Sequence, residues 1–452
     1  MSYERYKENL KRNNQLAAVD VLGSFDFYTC IVSLDAIYSD KINAFQRRHE
    51  SSRAVLEGPG TISADLYRDL SELLPLTMHE HTHFIDATST LWGLRHLVSM
   101  DSAYASHESF NQDEGRFHHA KSFFDEVRQL KLPEYYTQKS NADQGKRPWQ
   151  WRTSIGKLFS AEGRPTERPI LFSRFANLEN QHLVRSPLSA VSLLEASAMA
   201  QEVWSHVSLI KKCEPDFEVV ESARYSAQIL DYLYDKNLTE YSVCVHVVAN
   251  LQRCSDVLLG FALTSKLVRA SLNFPQGLFE KVLNDCEIHK LVGVDRDSST
   301  ATAVREGIRL KDRGILFYLL VHALPPNSYE SSELGDIGLQ ASLETLGVTR
   351  DELVAAGNEE ANQLYGALHR SRFRAIRLLG AAGHSNFMQI DRTAAHLPFD
   401  SLELPEAYLG DAESVRIFHK ADGILNELSV DECFDELNVG QEWVTRFAEA
   451  CV

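Results

Sequence analysis

Residues 78–86, MHEHTHFID, place three histidines, a glutamate and an aspartate within nine positions. Among them, His79, Glu80 and His83 form the pattern H-E-x-x-H. Positions i and i+4 lie one turn apart on the same face of an α-helix, so two imidazoles at this spacing can bind one metal ion. Glu80 would then lie beside the metal, where a carboxylate can take a proton from water and pass it to a leaving amine. The pattern predicts a zinc site with Glu80 as its general base.

The other histidines nearby do not fit the same ion. His81 is two positions from both His79 and His83, which places it nearly on the opposite side of the helix. His96 follows on what the pattern indicates is the same helix, about 20 Å beyond His83 by helical rise. Catalytic zinc normally has three protein ligands and an open position, so a different helix must supply the third ligand.

The stretch SLLEASAMAQEVWSH, residues 192–206, is the best source of that ligand. Glu195, Glu202 and His206 are spaced seven and four residues apart, which puts all three on one helix face. They could be a polar stripe that faces solvent. The functional interpretation is that Glu195 is the third ligand and that Glu202 or His206 supports the site. The spacing alone does not distinguish Glu195 from Glu202 as the ligand.

The stretches HEHTHFID and LLEASAMAQE together resemble the gluzincin-like branch of the H-E-x-x-H zinc metallopeptidases, in the zincin superfamily. The resemblance covers roughly residues 75–206. It implies a zincin-like fold, with His79, His83 and Glu195 as zinc ligands and Glu80 as general base.

The chain departs from that family at one supporting position. Gluzincins often carry an aspartate four residues after the ligand glutamate, where it orients a histidine, but Met199 stands at this position. Asp86, seven residues after His79 on the same face, or Glu202 could orient a histidine instead.

Hydrolysis also requires a hydrogen-bond donor for the developing oxyanion. The candidates are His206, Tyr225 and Tyr241. Sequence alone does not rank them, and we favour Tyr225 only slightly, because it follows the ligand helix at a modest distance.

The surrounding pattern predicts an α+β fold that is predominantly α-helical, with a zincin-like core, a small N-terminal sheet and a helical C-terminal portion. Residues 18–38 are the best strand candidate, and a helix is expected from Pro75 to about Leu97. Residues 101–170 are polar and broken, which indicates a long insertion with a helix near 117–131. We therefore predict a metallopeptidase domain at 1–295 and a helical domain at 296–452.

The composition restricts location and partners. The net charge of −17 argues against nucleic-acid binding, because nucleic-acid-binding proteins need a basic face. Seven scattered cysteines, with no C-x-x-C pair, suit a reducing compartment. The longest apolar run, residues 314–324, is shorter than the roughly 20 residues that a membrane span requires. These features predict a cytoplasmic protein that does not enter a membrane.

Three functions remain compatible with these patterns. The first is a Zn²⁺-dependent metalloprotease that acts on an intracellular protein or peptide. The second is a di-iron or di-manganese carboxylate oxidoreductase of ferritin-like type, since Glu80 and His83 have that family's i, i+3 spacing. The third is a catalytically silent zincin-like protein that binds a partner through its helical C-terminal portion.

Overall fold

The computed structural model describes residues 2–13, 22–49, 60–107, 114–130, 132–160 and 163–451. The structure is 62% helical with small sheets, so the predicted α+β, predominantly α-helical class is confirmed. The zincin-like core stays a prediction. None of the helices in the described ranges is long and apolar enough to cross a membrane.

Short strands and helices surround the histidine motif in the first part of the chain. In chain order these are α1 (Ser2–Asn13), β1 (Ser24–Asp26), β2 (Ile31–Leu34), α2 (Ser39–His49), α3 (Ala64–Thr88), α4 (Leu91–Ala105) and α5 (His118–Leu130). Four strands follow, β3 (Gln138–Lys139), β4 (Gln150–Phe159), β5 (Pro165–Ala176) and β6 (His182–Leu188).

The rest of the chain is helical except for one pair of short strands. Its elements are α6 (Ala190–Ile210), α7 (Pro215–Leu233), α8 (Thr239–Gln252), α9 (Val257–Leu272), α10 (Leu278–Asp285), α11 (Ile288–Leu291), α12 (Ser299–Arg309), α13 (Arg313–Ala323), α14 (Ser332–Thr345), α15 (Arg350–Leu368), α16 (Arg374–Gln389), β7 (Ala407–Leu409), β8 (Ser414–Val415) and α17 (Val430–Ala450).

The first sheet joins the two ends of the chain. Its strand order is β1-β2-β7-β8, and β2 pairs in parallel with β7, with Val32 opposite Ala407. The main apolar core also contains residues from both sides of position 295, including Phe84 and Leu437. The predicted boundary at 295 stays a prediction, but strand pairing and core packing both cross it.

The second sheet was not expected from the sequence. It is antiparallel, with the order β3-β6-β5-β4, and part of it lies in the segment 101–170 that we interpreted as a broken insertion. The predicted helix in that segment is present as α5. Strand β4 consists of exposed and half-buried residues along its whole length. Such a solvent-accessible strand has a polar composition, which we interpreted as a loop.

The expectation that Pro75 starts the histidine helix is wrong. Helix α3 begins at Ala64 and continues through Pro75, which is buried, and ends at Thr88. A new helix, α4, begins at Leu91, where the Thr90 hydroxyl caps it by accepting the Gly93 N–H. Proline inside a helix removes one backbone hydrogen bond, but tertiary burial of the helix can override that loss.

Candidate metal centre

Helix α3 holds the two motif histidines side by side. His79 and His83 lie one turn apart, with ring centroids separated by 5.0 Å. The Ser63 hydroxyl caps the start of the helix by accepting the Leu66 N–H. Because most of the helix after Glu80 is buried, the two rings are held by packing as well as by backbone geometry.

Helix α6 packs against α3 and brings Glu195 to both histidines. Glu195 Oε2 lies 3.6 Å from His79 Nε2 and 3.6 Å from His83 Nε2. One ligand atom from each of the three residues lies within 4.8 Å of the others. Ligand atoms about 2.0–2.1 Å from a tetrahedral zinc are separated by roughly 3.3 Å. The structure therefore brings the three predicted ligands together at nearly the spacing that zinc requires.

The surroundings of the Glu195 carboxylate also suit a bound cation. Its side chain is only 2% exposed, and its Oε2 atom is buried with no hydrogen-bond partner among the described residues. A buried carboxylate oxygen without a partner is strongly destabilising unless a positive charge compensates it. Two neutral imidazole nitrogens and one carboxylate oxygen form a donor set that suits zinc and leaves room for a further ligand.

Glu202 lies behind His79 rather than at the ligand position. Its Oε2 atom is 2.9 Å from His79 Nδ1, so His79 can donate to Glu202 while its Nε2 faces Glu195. Burial would lower the pKa of His79, but Glu195 and Glu202 raise that pKa well above its usual value. A metal ion at Nε2 would reverse this effect, because metal binding requires the neutral imidazole. The geometry gives the orienting contact to Glu202.

Asp86 does not make the orienting contact that we considered for it. Neither of its carboxylate oxygens has a hydrogen-bond partner among the described residues, and the same is true of His83 Nδ1. Burial raises the pKa of Asp86 to about 6, and the nearby charge of Arg269 opposes that shift. Asp86 is thus a buried acid one turn beyond His83, and among the described residues it makes no hydrogen bond to either histidine.

Glu80 is buried beside the cluster and beneath the first sheet. Burial raises the pKa of Glu80 to about 8; the charge of His79 opposes the shift, and Glu195 adds to it. A general base functions best when its pKa is near the working pH. A divalent cation at the three ligand atoms would lower this pKa by favouring the charged carboxylate.

Gly23 makes room for the Glu80 side chain, and sequence reasoning missed it. A Cβ atom at Gly23 would lie 2.8 Å from Glu80 Cγ and 2.9 Å from the carbonyl oxygen of Ser33. Only a residue without a side chain fits between the sheet and the base. A glycine directly before a strand was the available signal, because such glycines often permit close approach of another group.

His81 occupies the opposite side of α3, as the helix geometry predicted. Its Nδ1 atom lies 2.9 Å from the carbonyl oxygen of Thr77, and its ring contacts Phe418 edge to face. Burial lowers the pKa of His81 to about 4. His81 is a neutral packing residue and lies outside the ligand cluster.

His96 also lies away from the cluster. Its Nε2 atom hydrogen-bonds the carbonyl oxygen of Phe27 at 2.8 Å, from the separate helix α4.

The structure places the three oxyanion candidates differently. The rings of His206 and Tyr225 stack with centroids 4.5 Å apart. Burial raises the pKa of Tyr225, and Glu202 and Tyr67 are the nearby acidic groups that add to the shift. For Tyr241 the charge of Glu195 is the largest cause of a raised pKa, followed by burial and by the charge of Glu80. Tyr241 is therefore the candidate most closely coupled to the ligand and the base.

Tyr232 is a second tyrosine near Glu195 that the sequence did not indicate. Its ring centroid is 6.4 Å from that of Tyr241, and its buried hydroxyl has no hydrogen-bond partner among the described residues. Burial, followed by Glu202 and Glu195, raises the pKa of Tyr232 well above its usual value. It comes from α7, and no sequence spacing links that position to the metal motif.

The cluster has the composition of a site for one metal ion. Within the described ranges, His79, His83 and Glu195 are the one group of three or more side chains placed to hold a metal. A di-iron or di-manganese site would need additional bridging carboxylates. Glu202, which we considered for that role, is hydrogen-bonded to the outer nitrogen of His79.

Comparison of the chain with protein-family models, with curated proteins and with solved structures gave no match. The functional interpretation therefore depends on the residues of the cluster and their geometry.

Proposed function

We propose that this protein is a zinc-dependent metalloprotease that hydrolyses peptide bonds of an intracellular protein or peptide. The observation that supports this most strongly is the buried Oε2 atom of Glu195, which has no hydrogen-bond partner among the described residues and lies 3.6 Å from the Nε2 atoms of both histidines. Such a set of three ligands, with a nearby carboxylic acid, is the arrangement that metal-assisted hydrolysis requires.

His79, His83 and Glu195 would hold the zinc ion, which when bound polarises the substrate carbonyl and makes water more acidic. Glu202 accepts a hydrogen bond from the Nδ1–H group of His79 and so fixes the tautomer that presents Nε2 to the metal. His79 would thus be oriented for the metal before substrate arrives.

Glu80 would move the proton in the reaction. It takes a proton from the attacking water and gives it to the leaving amine, which a carboxylate can do when its pKa is tuned by its surroundings. The phenolic O–H of Tyr241, in preference to that of Tyr225, would donate a hydrogen bond to the developing oxyanion. We base that order on the closer electrostatic coupling of Tyr241 to Glu195 and Glu80.

The Glu80→Gln variant separates a protease from a silent interaction protein. We expect wild-type protein to cleave members of a mixed-sequence library of fluorescence-quenched peptides. Cleavage should stop with 1,10-phenanthroline and return when zinc is added. The Glu80→Gln variant should keep its zinc and lose about 10²–10⁴-fold in cleavage rate, the usual contribution of a general base. A wild-type rate in that variant, or no cleavage by wild-type protein across the library, would contradict the proposed activity.

A further inference from the structure

A cavity of about 340 Å³ lies away from the metal cluster. Its wall is formed by α4, α5, the β4–β5 hairpin, the start of α6 and the junction between α12 and α13. None of the three candidate zinc ligands lines it. Its volume falls within the range of ordinary small-molecule pockets, roughly 300–1,000 Å³.

Cationic side chains predominate among the charged groups of this cavity. The wall carries four of them, Arg95, Arg168, Lys311 and Arg313, against the two carboxylates Glu126 and Asp312. His96 adds no charge at neutral pH, because burial lowers its pKa to about 4. This excess is notable in a chain whose net charge is −17.

Two of the cations are held by amides and not by acids. Arg168 Nη1 donates to Gln129 Oε1 at 2.6 Å, and Lys311 Nζ donates to Gln276 Oε1 at 3.1 Å. Within the described ranges, neither has a carboxylate oxygen inside the 4.0 Å limit of an ion pair. The charge of Arg168 does oppose the burial-induced rise in the pKa of Glu126 and of Asp312, so it is partly compensated within the wall. Because neither cation forms an ion pair with a described carboxylate, both can still bind an anionic ligand.

Arg313 is a third cation without an acidic partner, and it is buried. Its guanidinium donates to the backbone carbonyls of Ser271 and Phe274 and forms no ion pair with the carboxylates of the described residues. Burial and then the neighbouring charge of Arg95 lower the pKa of Arg313 to about 9, and the charge of Glu360 opposes that shift. Arg95 itself is paired with Glu360. A buried guanidinium beside a second guanidinium is stabilised when an anion binds between them.

Two helix N-termini lie at the cavity wall, although at α13 the Asp312 carboxylate accepts the Ile315 N–H and offsets the charge of that helix end. The N-caps of α6 and α13, Ser189 and Asp312, both line the cavity, so two helices begin at its wall. The N-terminus of a helix carries a partial positive charge and presents backbone N–H groups. The wall also includes apolar side chains, among them Leu158, Ile170 and Leu310.

We propose that this cavity binds a small phosphate-bearing organic molecule, with its phosphates against Arg168, Lys311 and Arg313 and its less polar body against the leucine and isoleucine side chains. Arginine forks match the geometry of phosphate oxygens, and several converging cations favour an anion with more than one charge. This inference does not depend on the proposed proteolytic activity.

The test compares inorganic pyrophosphate, ADP and uncharged adenosine as probes of the zinc-loaded full chain, by isothermal titration calorimetry. The variant is the double substitution Arg168→Gln with Lys311→Asn, since both side chains are exposed and neither packs in the core. Asparagine is chosen because Lys311 has a φ of 59°, a left-handed conformation that asparagine tolerates.

The matched control is Lys139→Gln with Arg253→Asn. Lys139 is an exposed basic residue on a strand, as Arg168 is, and Arg253 is an exposed basic residue with a φ of 53°. This pair removes the same charge without touching the cavity.

We expect ADP or pyrophosphate to bind the wild-type and control proteins, and the cavity variant to bind at least about tenfold more weakly. Adenosine should not bind measurably. The proposal is overturned if neither anion binds wild-type protein, if adenosine binds as well as ADP, or if the cavity variant binds as the control does. A probe that bound at the zinc ion would also give equal binding to the cavity variant and the control, because both variants retain the zinc ligands.

Discussion

Removal of the Glu202 carboxylate should weaken zinc binding without abolishing it. Glu202 touches the outer nitrogen of His79, 2.9 Å away, and does not face the ligand cluster. In Glu202→Ala, His79 loses the acceptor that fixes its tautomer and ring orientation, but all three proposed ligands remain.

The size of the effect follows from the exposure of the contact. Loss of a group that orients a metal-binding histidine typically weakens metal affinity about 10–100-fold. The Glu202 side chain is 31% exposed, so water can replace part of its hydrogen bond. We therefore expect a loss near 10-fold, equivalent to about 1.4 kcal/mol of binding free energy.

Competition with a chromophoric chelator at neutral pH measures this loss. The matched control is Glu280→Ala, which removes the same charge from an exposed position on α10 and should leave the affinity unchanged. Wild-type affinity in Glu202→Ala would refute the orienting role. A loss as complete as that of His79→Ala would instead make Glu202 a ligand.

Three further predictions concern the base, the oxyanion donor and acid stability. The Gly23→Ala variant should retain zinc by metal analysis but lose most of its peptide cleavage, because its Cβ would displace Glu80; unchanged cleavage would contradict that packing. The Tyr241→Phe variant should lower kcat about 10²–10³-fold with normal zinc content, as loss of one oxyanion donor does; a kcat equal to that of wild type would assign the donor elsewhere. Burial lowers the pKa of His96 and of His246 to about 4, so both stay neutral in the fold while the unfolded chain takes up protons below about pH 6.5. This stabilisation is fully present above pH 6.5 and is lost as pH falls toward 4, so each of the two histidines should remove about 1.2 kcal/mol of unfolding free energy between pH 7 and 5.5; in urea titrations His246→Asn should lose about 1.2 kcal/mol less than wild type over that range, and an unchanged loss would contradict the assignment.

The parts of the site that depend on local helix geometry could be predicted from sequence. The i, i+4 spacing of His79 and His83 and the exclusion of His81 follow from 3.6 residues per turn. The choice of Glu195 needed the resemblance to a known family as well, because spacing alone left Glu202 equally suitable. The structure separates the two glutamates by their positions along α6, since Glu195 reaches both Nε2 atoms and Glu202 reaches only Nδ1 of His79.

The parts that depend on tertiary contacts could not be predicted in this way. Gly23 lies against Glu80, although the two residues are 57 positions apart in the sequence. Gly23 precedes the first strand of a sheet whose third strand comes from residues 407–409. The order of Tyr241 over Tyr225 depends on how α7 and α8 pack beside α6. Strand β4 was missed because exposed and half-buried strands carry polar residues, as loops do.

The central claim, that one zinc ion is held by His79, His83 and Glu195, is tested most directly by metal analysis of wild-type protein and the Glu195→Ala variant. Inductively coupled plasma mass spectrometry should find one zinc ion per chain in the wild type and almost none in the variant, with circular dichroism unchanged. Two irons per chain, a wild-type protein that binds no zinc, or a Glu195→Ala variant that binds as much zinc as the wild type would contradict it.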